Sequence, residues 1–142
     1  MTVKEKLAAL VKGVKADIVR CEELQKLLRH QERLLTRTDT DGLTHLNLVL
    51  TPTLDALAGS ARERSSLLDG LGFGNGDDAM QLLLTKLPEK MSNDVAALWQ
   101  ALGQRLSQCK SINERNGHLL ASQQELLAEV IGRTPLEYGV ES

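Results

Sequence analysis

From Val3 onward the apolar residues fall three or four positions apart: Leu7, Leu10, Val14, Ile18, Cys21, Leu24, Leu28 and Leu35. Steps of that size lie on one stripe of an α-helix, because 3.6 residues complete a turn. The stripe predicts a first helix of about 35 residues and about 50 Å, which makes the molecule elongated. Thr38-Asp39-Thr40-Asp41-Gly42 then supplies side-chain oxygens that cap a helix start. Leu43, Leu46, Leu50, Leu54, Leu57, Ala61 and Leu68 resume the spacing and predict a second, antiparallel helix. Pro52 lies inside it, removes a backbone donor and biases Thr51 away from helical angles. A kink rather than a break is expected there, since the leucines keep phase across the proline.

Glycine then recurs at alternate positions in Gly70-Leu-Gly-Phe-Gly-Asn-Gly-Asp77, as suits a turn between helices. The spacing is wrong for a dinucleotide fingerprint and no strand precedes it, so a phosphate loop is not the reading. Asp77 and Asp78 cap a short helix from Ala79 to Leu87 that stops at Pro88. The last pattern begins at Asn93 or Asp94 and carries Val95, Leu98, Trp99, Leu102, Leu106, Cys109, Ile112, Leu119, Leu120, Leu127, Val130 and Ile131. Gly132 ends it, with Pro135 beyond. The fold class is therefore all-α: an elongated antiparallel bundle of three long helices with a short additional helix. Residues 1–132 form the bundle and residues 133–142 a C-terminal tail.

Composition agrees with helix-on-helix packing. Of 142 residues, 42% are hydrophobic but only 2% aromatic, and leucine supplies about a fifth of the chain. A net charge of −2 with both signs interleaved offers no footprint for a nucleic acid backbone. The longest apolar runs are too short for a membrane span or a signal peptide, so the protein is expected in the cytoplasm. Cys21 and Cys109 lack the neighbouring cysteine or histidine of a metal or redox motif and read as small buried helix residues. Acidic residues are spread along solvated faces, without the paired arrangement or the nucleophile and base of an enzyme, and no cofactor is indicated.

One stretch departs from the pattern. "CKSINERNGHLL", Cys109 to Leu120, places two asparagines and a glycine inside a helical run, although all three are weak helix formers. Following the seam through Leu102, Leu106, Cys109 and Ile112 leads to Asn116, which should face the core with Asn113 on its flank. A buried asparagine must find a hydrogen bond, and would set the register between helices; Gly117 would let a facing backbone come close. On this reading Asn113, Asn116 and Gly117 are register-setting, and Asn116→Leu should preserve or raise stability while loosening register.

The same residues carry a resemblance. "RERSSLLDGLGF" from Arg62 to Phe73, a helix containing Trp99, "CKSINERNGHLL" and "LEYG" from Leu136 to Gly139 together resemble the FlgN family of flagellar export chaperones. The likeness covers most of the chain, and its most specific element is Asn113, Asn116 and Gly117. Tyr138 and Gly139 extend it into the tail. The resemblance implies a carrier and not an enzyme: a cytoplasmic helical chaperone that binds hook-filament junction proteins, prevents their premature assembly and delivers them to the flagellar type III export gate. It also implies a docking role at that gate for Tyr138; packing of its ring on the bundle end is the alternative.

A chaperone for amphipathic segments needs apolar surface that it does not itself bury. Leu119, Leu120, Leu126, Leu127, Val130 and Ile131 form a stripe wider than one seam requires. Leu119, Leu127 and Val130 are expected inside, whereas Leu120, Leu126 and Ile131, with Leu136 beyond Pro135, are the candidates for cargo binding. The tail should be mobile alone, order on cargo and contribute little to thermal stability. Self-association through the same stripe would make a homo-oligomer. Two other classes are weighed against the chaperone. A histidine phosphotransfer bundle needs a histidine with lysine and glycine close behind it, and His30, His45 and His118 all lack them. A structural coiled-coil subunit would be separated by its need for a partner to fold.

Overall fold

The computed structural model describes residues 1–136. Its helices are α1 (Val3–Thr36), α2 (Thr40–Gly70), α3 (Ala79–Lys86), α4 (Glu89–Asn116) and α5 (Ala121–Gly132), and no strand occurs among the described residues. Thr2 opens α1 with a reciprocal cap: its hydroxyl accepts from the Glu5 amide at 3.1 Å, and its own amide donates to the Glu5 carboxylate at 2.9 Å. Between α1 and α2 the chain reverses in three residues. Thr38 takes a left-handed conformation (φ 55°), which lets the Asp39 amide reach back to Leu34 O at 3.0 Å. Asp39 then caps α2 by accepting from the Gly42 amide at 2.9 Å.

Side-chain bridges fix the directions of the helices. Lys6 reaches the Gly70 carbonyl, and Asp17 receives both Ser60 and Arg64, so α2 runs antiparallel to α1. Arg105 pairs with Glu22 and Asn116 with Leu28, so α4 runs parallel to α1. Leucines at the predicted positions fill the space between them: Leu10, Leu24, Leu28, Leu50, Leu54, Leu57, Leu102 and Leu106 are almost completely buried. The two cysteines belong to the same core, as expected; the Cys109 thiol donates to the Cys21 carbonyl at 3.3 Å, and burial pushes the Cys109 pKa up to about 12. α2 continues through Pro52 without a break, and the proline lies on the exposed side, away from the buried leucines.

The single third helix expected from the spacing is two helices. α4 begins at Glu89, directly after Pro88, rather than at Asn93 or Asp94, and it stops at Asn116. Residues 117–120 form a turn, and α5 then runs back along α2 in the opposite sense to α4: Gln123 bonds Asn47 and Thr51, and Glu129 bonds Arg62. α5 and α3 share the fourth side of the bundle, one at each end, with α5 against α2 and α3 against α4 and α2. Ser92 anchors α3 by donating to the Leu84 carbonyl at 2.8 Å. Asp78 occupies the first position before α3 but makes no side-chain cap bond.

The packed structure also continues past Gly132. Thr134 and Leu136 are buried while Arg133 is exposed, so residues 133–136 are anchored on the core at two positions. The reason lies in α2. Arg64, which the leucine pattern passes over, is 4% exposed, donates to Asp17 at 2.9 Å and to the Thr134 hydroxyl at 2.9 Å, and stacks 5.2 Å from the Trp99 ring centroid. A buried guanidinium needs every acceptor it can find, and Thr134 is one of them. Burial lowers the Arg64 pKa, and the adjacent Asp17 carboxylate opposes that shift.

Candidate functional site

The asparagine stretch ends α4. Gly117 adopts φ 57° and ψ 34°, a left-handed conformation that side chains resist, and its amide donates to Asn113 O at 2.8 Å. A β-carbon added to Gly117 would have no heavy atom within 4 Å, so the glycine is there for its backbone angles and not for the close approach of another helix. The roles of the asparagines also differ from the seam expectation. Asn113 is the more buried, at 6% exposure, whereas Asn116 is half-buried. The Asn116 amide donates to Leu28 O at 2.8 Å and to Gln31 Oε1 at 3.0 Å, which ties the end of α4 to α1. Leucine at 116 could make neither bond, so these contacts argue for a loss of stability in Asn116→Leu rather than the neutral or favourable effect expected from the seam.

Gln123 is the residue that sequence reasoning missed. Fully buried, it accepts from the Leu120 amide at 2.9 Å through Oε1, and its amide nitrogen donates to Asn47 at 3.2 Å and Thr51 at 3.0 Å. It therefore starts α5 and fastens it to α2 in one step. The available signal was glutamine at the third position after a helix start, half of a capping box, and it is invisible until a break is placed at Gly117.

Because α5 fastens to α2, an open cleft of about 340 Å³ separates it from α4. Leu127, Ala128 and Ile131 line its α5 side, and Lys110, Asn113 and Glu114 its α4 side. Asn113 Nδ2 reaches across to Gln124 Oε1 at a long 3.4 Å, and its Oδ1 has no hydrogen-bond partner among the described residues. The cleft thus offers an apolar wall and a buried acceptor. Of the residues proposed for cargo, Leu120 is 52% exposed, and Leu126 and Ile131 are half-buried. Leu127 and Val130 are in the core and Leu119 lies partly outside it. Leu136 differs from expectation: it is 7% exposed within the core, because the Arg64–Thr134 bond carries the chain inward. Tyr138 and Gly139 lie outside the described residues.

The family profile described as FlgN protein matches residues 1–131. The chain belongs to the FlgN family. Its fold is shared with the crystal structure of a flagella synthesis protein FlgN from Pseudomonas aeruginosa, at a TM-score of 0.73 and 22% identity over 85% of this chain and 94% of that one. No curated protein matches the sequence. The resemblance carried by Asn113, Asn116 and Gly117 thus agrees with the family match, and this FlgN-family chain uses them to end one helix and start another. His118 falls in the turn rather than on a helix face, and His30 and His45 are exposed. Among the described residues no helix is long and apolar enough to cross a membrane, and no three metal-ligating side chains come together.

Proposed function

We propose that this FlgN-family protein is a cytoplasmic export chaperone, not an enzyme. It holds an amphipathic segment of a hook-filament junction protein, prevents premature assembly and presents the segment to the type III export gate. Family membership supports the flagellar setting. The observation that carries the holding role is that Leu120, Leu126 and Ile131 stay at least partly outside the core, with Ile131 lining the open cleft between α4 and α5. An amphipathic helix laid against α5 would cover those side chains. Tyr138 is proposed to dock at the gate, and Leu136 to act indirectly, by holding the segment that leads to it.

Pull-down of purified hook-filament junction proteins on the tagged full chain tests the reading. Leu120→Glu and Ile131→Glu should each lower affinity at least about tenfold, the equivalent of 1.4 kcal/mol. Leu120→Glu should leave the thermal midpoint in place. Unchanged capture by both variants would remove the α5 surface from the function, and no capture by the wild-type chain would remove the chaperone role.

A further inference from the structure

A second opening lies at the other end of the bundle and involves neither α5 nor α2. Between the N-terminal parts of α1 and α4 is an open groove of about 620 Å³, larger and more apolar than the α4–α5 cleft. Leu7, Val11 and Leu98 line it as half-buried side chains, and Met91, 47% exposed, stands at its edge. Charge is distributed unequally across it. α1 contributes Lys4, Lys12 and Lys15, while α4 contributes Asp94. None of these four side chains forms an ion pair among the described residues, whereas Arg105 and Arg115 on the same pair of helices pair across to Glu22 and Glu32.

We infer that this groove binds an amphipathic helical segment of another protein, with an apolar stripe for the groove and acidic residues along the flank that meets α1. From Lys4 to Lys15 the rim is about 17 Å long, three turns of helix, which matches anchors at i, i+3 or i+4, and i+7. Acidic side chains on one flank would meet unpaired lysines at a rim that the bound helix itself shields from solvent, and opposite signs on the two rims would fix its orientation. A lipid surface fits this site poorly, because the apolar residues line a recess between two helices and not a protruding face. Among the described residues a second copy could offer Leu48, Val49 and Pro52 of α2, between Asp41 and Asp55, or the exposed Leu82 or Leu120, and any such head-to-tail contact generates rings or open chains rather than a closed dimer. The inference does not rest on the proposed use of α5, whose exposed leucine lies at the opposite end of the molecule.

Two fluorescein-labelled helical peptides with one leucine stripe, flanked by glutamates in one and lysines in the other, serve as probes in fluorescence anisotropy with the full chain. The glutamate peptide should bind saturably and at least tenfold more tightly than the lysine peptide. Lys12→Glu/Lys15→Glu, at two exposed positions, should reverse that order, and Met91→Glu should weaken binding at least fivefold with unchanged helical circular dichroism. Ile131→Glu should leave both affinities within twofold, which separates this groove from the α5 surface. Equal binding of the two peptides, no saturable binding, or loss of binding in Ile131→Glu would overturn the inference. So would self-association of the free chain, or its binding to phosphatidylglycerol vesicles, if the double charge reversal abolished it.

Discussion

Two polar clusters interrupt the leucine core, and they are built in opposite ways. At the middle of the bundle Asp17 receives Arg20 at 2.8 Å, Ser60 at 2.8 Å and Arg64 at 2.9 Å, while Arg64 also holds Thr134 and faces Trp99. Among the described residues, no side-chain polar atom of that cluster is left buried and unpartnered. At the end of α4, by contrast, Gln31 Nε2 and Asn113 Oδ1 are buried without partners among the described residues, although Asn116 and Gln123 are well bonded. A saturated cluster costs much to break and has nothing to offer a visitor; an unsaturated one is weaker and keeps bonding capacity in reserve. The first joins α1, α2 and the segment after α5 and is structural. The second opens on the cleft beside α5, where the proposed cargo surface lies.

The contrast can be broken most forcefully at Arg64. Arg64→Met leaves a buried carboxylate short of its principal cation and frees Thr134, so unfolding in urea should show a loss of about 3–5 kcal/mol. Adding Asp17→Leu should restore most of that loss, since replacing a buried ion pair by apolar groups is often neutral; a single substitution costing under about 1 kcal/mol would mean that the cluster is not the anchor. Asn116→Leu should have a smaller effect, about 1–3 kcal/mol by the same measurement, because Gln31 Oε1 loses its partner. A neutral result would return Asn116 to the role of a replaceable seam residue.

The smallest effect concerns Glu129, which bridges α5 to α2. Its hydrogen bond from Arg62 holds the carboxyl below the ordinary glutamate range, with a further contribution from Arg133. A carboxylate with a lowered folded-state pKa stabilises the fold above its unfolded pKa and loses that contribution as pH falls through the folded value. Protection of the α5 amides, taken relative to their intrinsic exchange rates, should therefore fall as pH drops below about 4.3, ahead of global unfolding, and Glu129→Gln should flatten the trend. The pair is solvent-exposed, so the change should be modest.

Much of the fold was legible from spacing alone. α1, α2 and the leucines that fill the bundle follow from a three-to-four-residue period, and so does the burial of Cys21 and Cys109. The division of the last long run was not legible, because Leu106, Cys109 and Ile112 before Gly117 and Leu119, Leu120, Leu127 and Val130 after it keep the same phase. A periodic pattern carries no information about direction, so it reads identically whether the chain continues or doubles back. The glycine and asparagines marked the correct place, yet a glycine inside a helix and one closing it differ only in φ. The candidate site was legible in part: Leu120, Leu126 and Ile131 were separated from Leu127 and Val130 by position on the stripe, whereas Leu136 could not be placed without Arg64.

The sequence by itself determined most of the helical residues and which edge of each helix is apolar, since both depend largely on neighbours within one or two turns. Only the tertiary structure decided that the chain turns back after Asn116, that Gln123 and Arg64 find their partners some 70 residues away in sequence, and that Leu136 goes inside. Those outcomes depend on where donors and acceptors from distant segments meet in space. A buried polar side chain is stable only when that meeting occurs, and nothing local to it records whether it does.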